Sequence, residues 1–177
     1  MNLERLGAWY GTAARALLWL QHPLLLAIRV YWGWSLMIDG WGKMHHIAQI
    51  AQWFGHDLHI PFPTVNAWMA AGTEAIGGGL LVIGLASRPA ALAVLITMTV
   101  AFLTSDVGVF HTLSTDFWCY EGTKLGDCVV LSAPFPYWFM AILVLVLGPG
   151  LLAADGAVGI WWRRRVGKVR SLPRPWA

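Results

Sequence analysis

Four stretches of this chain, 22–42, 64–85, 89–110 and 134–152, are apolar almost without interruption. Each is close to the roughly 20 residues that a helix needs to cross about 30 Å of hydrocarbon. The runs are continuous rather than alternating, and a strand exposed to lipid would leave its backbone N–H and C=O groups unpaired, so helices are expected. Composition points the same way, with 58% hydrophobic and 12% charged residues against a globular norm of about 45–50% and 25%. A soluble domain of 177 residues cannot build a core large enough to bury so much apolar surface. The expected fold class is therefore all-α, an integral membrane four-helix bundle. Pro23, Pro61, Pro63, Pro89, Pro134 and Pro136 stand near the starts of the spans, and Gly42, Gly84 and Gly148-Pro149-Gly150 mark or follow their ends, as helix boundaries prefer. No repeat of fixed period is present.

Four spans put both termini on one side. The tail carries Arg163, Arg164, Arg165, Lys168, Arg170 and Arg174, and Arg5, Arg15 and Arg88 share its side, whereas only Lys43 and Lys124 fall in the two opposite loops. Basic residues accumulate on the cytoplasmic face, so both termini are expected in the cytoplasm. Trp41, Trp68 and Trp138 then lie near the outer boundary and Trp19, Trp161 and Trp162 near the inner one, where amphipathic rings settle. The pI of about 9.1 reflects this sorting; a nucleic-acid partner is not expected. Ahead of the first span, Leu3, Leu6, Tyr10, Ala13, Leu17 and Leu20 recur at three- and four-residue intervals opposite Arg5, Thr12 and Arg15. That pattern predicts an interfacial amphipathic helix over 1–21. The organisation expected is this helix, a membrane domain over 22–155 with a long outer loop at 111–133, and a basic cytoplasmic tail over 156–177.

Ionisable groups inside a span are costly and mark candidate sites, which singles out Arg29 and Glu74. Measured from the inner ends of their spans, Arg29 lies about 10 Å deep and Glu74 about 16 Å deep at ~1.5 Å per residue, so a hydrogen-bonded Arg29–Glu74 pair is expected. Such a pair is either a lock between two helices or part of a ligand or proton path. Arg29, Gly33, Leu36, Gly40 and Lys43 share one helix face, and Glu74, Gly78 and Leu81 another; small residues there let backbones approach. Arg29, Lys43 and Glu74 are thus the candidate buried polar site. The glycines at 77–79 lie inside an apolar span with no strand before them, so they are not a phosphate loop.

His45, His46, His56 and His59 crowd the first outer loop and His111 begins the second. No spacing matches a metal or haem motif. Some of these histidines, with Asp39 and Asp106 at the outer ends of spans one and three, are candidates for moving protons to and from a bound redox molecule; the alternative for any one of them is a solvated loop histidine. Cys119 and Cys128 are the only cysteines, both in an outer loop facing an oxidising compartment, which predicts a disulfide. Closing that short loop is worth roughly 2.7 kcal/mol in the chain-entropy picture. A staple is one reading and a redox-active pair the other, although the spacing is not Cys-x-x-Cys and Asp116, Glu121 and Asp127 disfavour the thiolate.

Taken in order, the run Arg29-x3-Gly33-x6-Gly40-x2-Lys43, then Glu74-x2-Gly77-Gly78, Leu81-x2-Gly84 and Arg88-Pro89-Ala90-Ala91, then Met98-x2-Ala101, Ala133-Pro134-Phe135-Pro136 and Gly148-Pro149-Gly150 before Asp155, resembles the DoxX family of small bacterial membrane proteins over about 23–155. The resemblance implies a four-helix membrane bundle and a link to quinone chemistry, since the family is named for subunits associated with a quinol oxidase and the related DoxD proteins are linked to thiosulfate:quinone oxidoreduction. The long 105–133 segment with its cysteines departs from the short loop common in the family and marks a candidate partner-binding surface. The function expected is a small subunit or anchor of a quinone-linked electron-transfer complex, with a bound quinone, lipids and a larger membrane complex as partners. No redox group is encoded, so the chain by itself would bind, position and move protons. The alternatives are a structural or assembly protein and, last, a thiol oxidoreductase using Cys119 and Cys128.

Overall fold

The computed structural model describes residues 3–104, 132–150, 152–156, 158–159, 161–162 and 165. Among these residues all regular structure is helical. The helices are α1 (Leu3–His45), α2 (Ile47–His56), α3 (Pro63–Ile83), α4 (Ser87–Thr104) and α5 (Phe135–Leu147).

Helix α1 runs unbroken for 43 residues through Pro23, so the expected boundary between an interfacial helix over 1–21 and a span from 22 is not a helix end. Proline at 23 removes the amide that would bond to residue 19, yet the turns on both sides continue. The side chains that carry the amphipathic pattern of 3–18 lie outside the described ones, as do the segment 105–131 and nearly all of the basic tail. Helix α2 was not expected. Its signal is short but present: Ile47, Ile50, Ala51 and Phe54 recur at helical spacing, and this face packs on α3, with Ala51 buried.

Helix α3 begins at Pro63, after Phe62 in the left-handed region, and Pro at a first helical position loses only an amide that has no intrahelical partner. Gly84, at φ 76°, ends it with its N–H on the Leu80 carbonyl. The fourth expected span is shorter than 134–152, because Gly148 and Gly150 both take positive φ and stop α5 at Leu147. Among the described residues α4 is the helix long and apolar enough by itself to cross a membrane, and α5 is a shorter apolar helix.

Helix α1 packs on α3 and α5, and α4 packs on the same two. Between them lies a core of Leu36, Leu81, Ala90, Ala91, Val94, Met98, Met140, Ala141 and Val144. Trp138 closes one end by donating Nε1–H to Thr99 Oγ1 at 3.1 Å and standing edge-on to Phe102 at 6.4 Å.

The closest approach is between α1 and α3. A Cβ at Gly40 would collide with the backbone N of Ala75 and fall 2.7 Å from Glu74 Cβ and 2.8 Å from the Ala71 carbonyl. One at Gly78 would fall 2.7 Å from the Gly33 carbonyl and from Met37 N. Backbone, which cannot swing aside, is what blocks these positions. Gly40→Ala is therefore expected to cost about 1–3 kcal/mol, the range for overpacking, in a denaturation series in detergent. Gly42→Ala two residues on, where nothing lies within 4 Å, should leave stability within about 0.5 kcal/mol.

Candidate functional site

The α1–α3 register decides which charges meet. Gly33 faces Gly78 and Val82, and Gly40 faces Ala71, Glu74 and Ala75, so Glu74 stands level with residue 40. Arg29 is eleven residues away along α1, about 16 Å at ~1.5 Å per residue, beyond the reach of its side chain. The expected Arg29–Glu74 pair does not form. Depths measured from two separately assumed helix ends placed the two residues too close. The ion pair is instead Lys43–Glu74, with Nζ donating to Oε1 at 2.6 Å.

The pair is lopsided. The Glu74 side chain is 5% exposed and that of Lys43 40%, so a carboxylate in the packed interior is met by a lysine that reaches in from the rim. Glu74 Oε2 is buried and has no hydrogen-bond partner among the described residues.

Helical spacing of four places Ser35, Asp39 and Lys43 on one stripe of α1. The phenol of Tyr137, on α5, meets that stripe: its O–H donates to Asp39 Oδ2 at 2.8 Å. Ser35 Oγ lies 3.0 Å from the same phenol oxygen. Since a phenol has one hydrogen and Asp39 takes it, the Ser35 hydroxyl is the donor in the second bond. The result is a chain Ser35–Tyr137–Asp39 beside the Lys43–Glu74 pair. Next to it a groove of about 390 Å³ is lined by Val30, Tyr31, Trp34, Ser35, Ile38 and Asp39. The groove is open, with Val30, Tyr31, Trp34 and Ile38 exposed, and its polar groups, Ser35 and Asp39, are the ones bonded to Tyr137.

His45 and His46 are exposed and bond through Nδ1 to the α1 carbonyls of Trp41 (2.9 Å) and Gly42 (3.0 Å). A carbonyl only accepts, so each Nδ1 carries the proton, leaving Nε2 of both rings to solvent. Asp106, His111, Cys119 and Cys128 lie outside the described residues. Among the described residues no three His, Cys, Asp or Glu side chains converge as metal ligands.

Arg29 belongs to a second polar cluster at the opposite end of α3. It is fully buried and donates Nη2 to the Leu152 carbonyl at 3.3 Å. Asp155 is the nearby anion; its carboxylate accepts from the backbone N–H of Ala86 at 2.7 Å and of Ser87 at 2.8 Å. Burial by itself would raise the Asp155 pKa, but the hydrogen bonds from Ser87 and Ala86 and the charge of Arg29 outweigh it and hold the carboxyl below the usual carboxylate range.

Sequence reasoning missed Ser35 and Tyr137. Spacing from Asp39 and Lys43 was a usable signal for Ser35, whereas a lone Tyr in an apolar run carried none.

Among the described residues the protein is all-helical, with an apolar core helix, glycine-seated helix contacts and an ion pair sunk between helices. Residues 24–106 match the family model DoxX, which supports membership of the DoxX family of small membrane proteins. No curated protein and no solved structure matches it.

Two outcomes follow for stability. Lys43→Met strands the Glu74 carboxylate in the interior and should cost about 1–3 kcal/mol or more, the penalty for an unsatisfied buried charged group; adding Glu74→Gln should recover part of that loss in the same denaturation assay. For Asp155, a folded-state pKa below the unfolded one means that its contribution is present above the unfolded value and is lost as pH falls through the folded one. Native protein should therefore lose stability below about pH 4, and Asp155→Asn should be less stable at neutral pH and lack this part of the acid dependence.

Proposed function

We propose that this DoxX protein is a multi-pass subunit or anchor of a quinone-linked electron-transfer complex in a bacterial inner membrane, with four spans and both termini on the cytoplasmic side. The observation that carries the reading is the side-by-side placement of two proton-bearing groups, Lys43–Glu74 and Ser35–Tyr137–Asp39, next to an open groove with aromatic walls. A quinone headgroup needs hydrogen-bond donors at its oxygens, a proton-accepting group within reach, and an apolar surface for its tail. The groove offers Asp39 as the acceptor and Val30, Tyr31, Trp34 and Ile38 as the apolar wall; the Ser35 and Tyr137 hydrogens are held by Tyr137 and Asp39, so these hydroxyls donate to a quinone oxygen only when that chain rearranges.

Reduction of a quinone to its quinol takes up two electrons and two protons. In this reading the electrons come from a partner subunit and the chain's share is positioning and proton transfer. Asp39 passes a proton between the groove and Tyr137. Glu74 Oε2, buried and unpartnered among the described residues, is a second acceptor, and Lys43 holds the charge of its carboxylate. His45 and His46, with free Nε2 atoms, extend the route toward the loop. Asp106 and His111 are candidates for the same route from the other loop.

A structural or assembly role is the second reading, favoured by the tight seating of Gly40 against Glu74 and Ala75, which makes the ion pair a lock between α1 and α3. In that reading the 105–133 segment docks a larger complex, with Cys119–Cys128 as its staple. A thiol oxidoreductase using the two cysteines is the third.

Substitution separates the first two. In the assembled complex, Asp39→Asn is expected to lower quinone-dependent turnover about 100-fold, the low end of what a positioned proton-transfer group contributes, and Glu74→Gln to lower it with the complex intact. Unchanged turnover in an intact complex would leave the lock as the role of the pair. Complete loss of electron transfer on replacing both cysteines by Ser in a well-assembled complex would point to the thiol reading instead.

A further inference from the structure

The second polar cluster does not take part in the proposed chemistry, and its geometry is unusual for a buried cation. Arg29 is fully buried, yet among the described residues its Nε and Nη1 have no hydrogen-bond partner, and the bond from Nη2 to the Leu152 carbonyl is 3.3 Å long. What keeps water away is the segment after α5. Positive φ at Gly148 and Gly150 turns the chain back, and Ala153 is buried against Gly84. A Cβ at Gly84 would fall 2.8 Å from that of Ala153 and 2.5 Å from Arg29 Nη1, so the segment closes down on the guanidinium and on the end of α3.

The fastening lies one turn further on. Asp155 N–H donates to the Gly84 carbonyl at 2.9 Å, and its carboxylate caps the first amides of α4, those of Ala86 and Ser87. One residue thus satisfies the end of α3 and the start of α4 at once, in the manner of an N-cap supplied from 68 or more residues away in sequence.

We infer that the segment Leu152 to Asp155 is a releasable strap, fastened by Asp155 to the start of α4, that keeps the Arg29 guanidinium out of water. Closure and opening are both within reach energetically. Closed, the cation has given up its hydration for a long hydrogen bond and a nearby anion, which is a poor exchange for a guanidinium. Open, Arg29 regains water on Nε and Nη1, while α4 loses its cap and Ala153 its contact. Leu152 itself is 59% exposed, so little apolar surface opposes release. Such a segment belongs to the low-stability end of a fold, where local opening precedes global unfolding. The basic tail begins just beyond the strap, so anything that binds the tail acts on the strap first.

The test uses the full chain in lipid nanodiscs and the arginine reagent phenylglyoxal, with each site followed by mass spectrometry. Arg88, which is exposed, is the internal standard. In the native chain Arg29 should react roughly ten-fold or more slower than Arg88, and Asp155→Asn should bring it to a rate near that of Arg88, as release of a local closure requires. Amide exchange at 37–44 and 71–78 checks that the α1–α3 crossing stays folded. Equal protection of Arg29 in native and Asp155→Asn protein would overturn the inference, as would native Arg29 reacting as fast as Arg88. Should Asp155→Asn fail to fold, the native chain still decides: amides at 84–87 and 152–156 should exchange at least about ten-fold faster than those of the α1–α3 crossing, and equal rates would overturn the strap.

Discussion

The close crossing of α1 on α3 governs the rest of this structure. Gly33 and Gly40 on one helix and Gly78 on the other bring backbone against backbone, and that approach fixes the register. In lipid, apolar side chains gain little by leaving the tails for a protein interior, so helix association depends on contact area and interhelical hydrogen bonds. Glycine provides the first and the Lys43–Glu74 bond the second, within one turn of each other. Glu74 is sunk deeply because Gly40 lets α1 come that near; Lys43 remains half-exposed because it reaches over the rim of the same contact.

From that register follow two polar clusters at opposite ends of one helix pair. At the Lys43 end, the spacing of α1 brings Ser35 and Asp39 to Tyr137 of α5, so two helices contribute to a hydrogen-bonded chain beside the groove. At the Arg29 end, the guanidinium meets the turn between α3 and α4 and the chain that follows α5. The intervening core of Leu, Val, Met and Ala is free of ionisable groups. A charge on either side of it interacts with its own cluster, and this division separates groups suited to proton exchange from a cation whose surroundings are built to cover it.

Much of the helical plan was legible because continuous apolar runs and their Pro and Gly boundaries report directly on local conformation. Glu74, Lys43 and Arg29 stood out for the same reason, as charges where the pattern expects none. The pairing was not legible. It depends on which turn of α1 opposes which turn of α3, and that is set by glycine contacts between residues about forty apart in sequence, for which one sequence carries no phase. Helix α2 was hidden in a loop read for its histidines, although Ile47, Ile50, Ala51 and Phe54 had the right period. Asp155 lay past the last span, where its value as a cap for a helix starting at Ser87 is visible only once the chain has turned back.

The functional account rests on the idea that the proton-bearing side chains at the Lys43 end serve a redox molecule whose electrons come from elsewhere. Its most direct test is purification of the protein from native membranes in mild detergent, with mass spectrometry of the co-purifying proteins and of the extracted lipid-soluble cofactors. The account predicts redox subunits together with quinone in near-stoichiometric amount. Redox subunits without quinone, or no redox subunit at all, would contradict it.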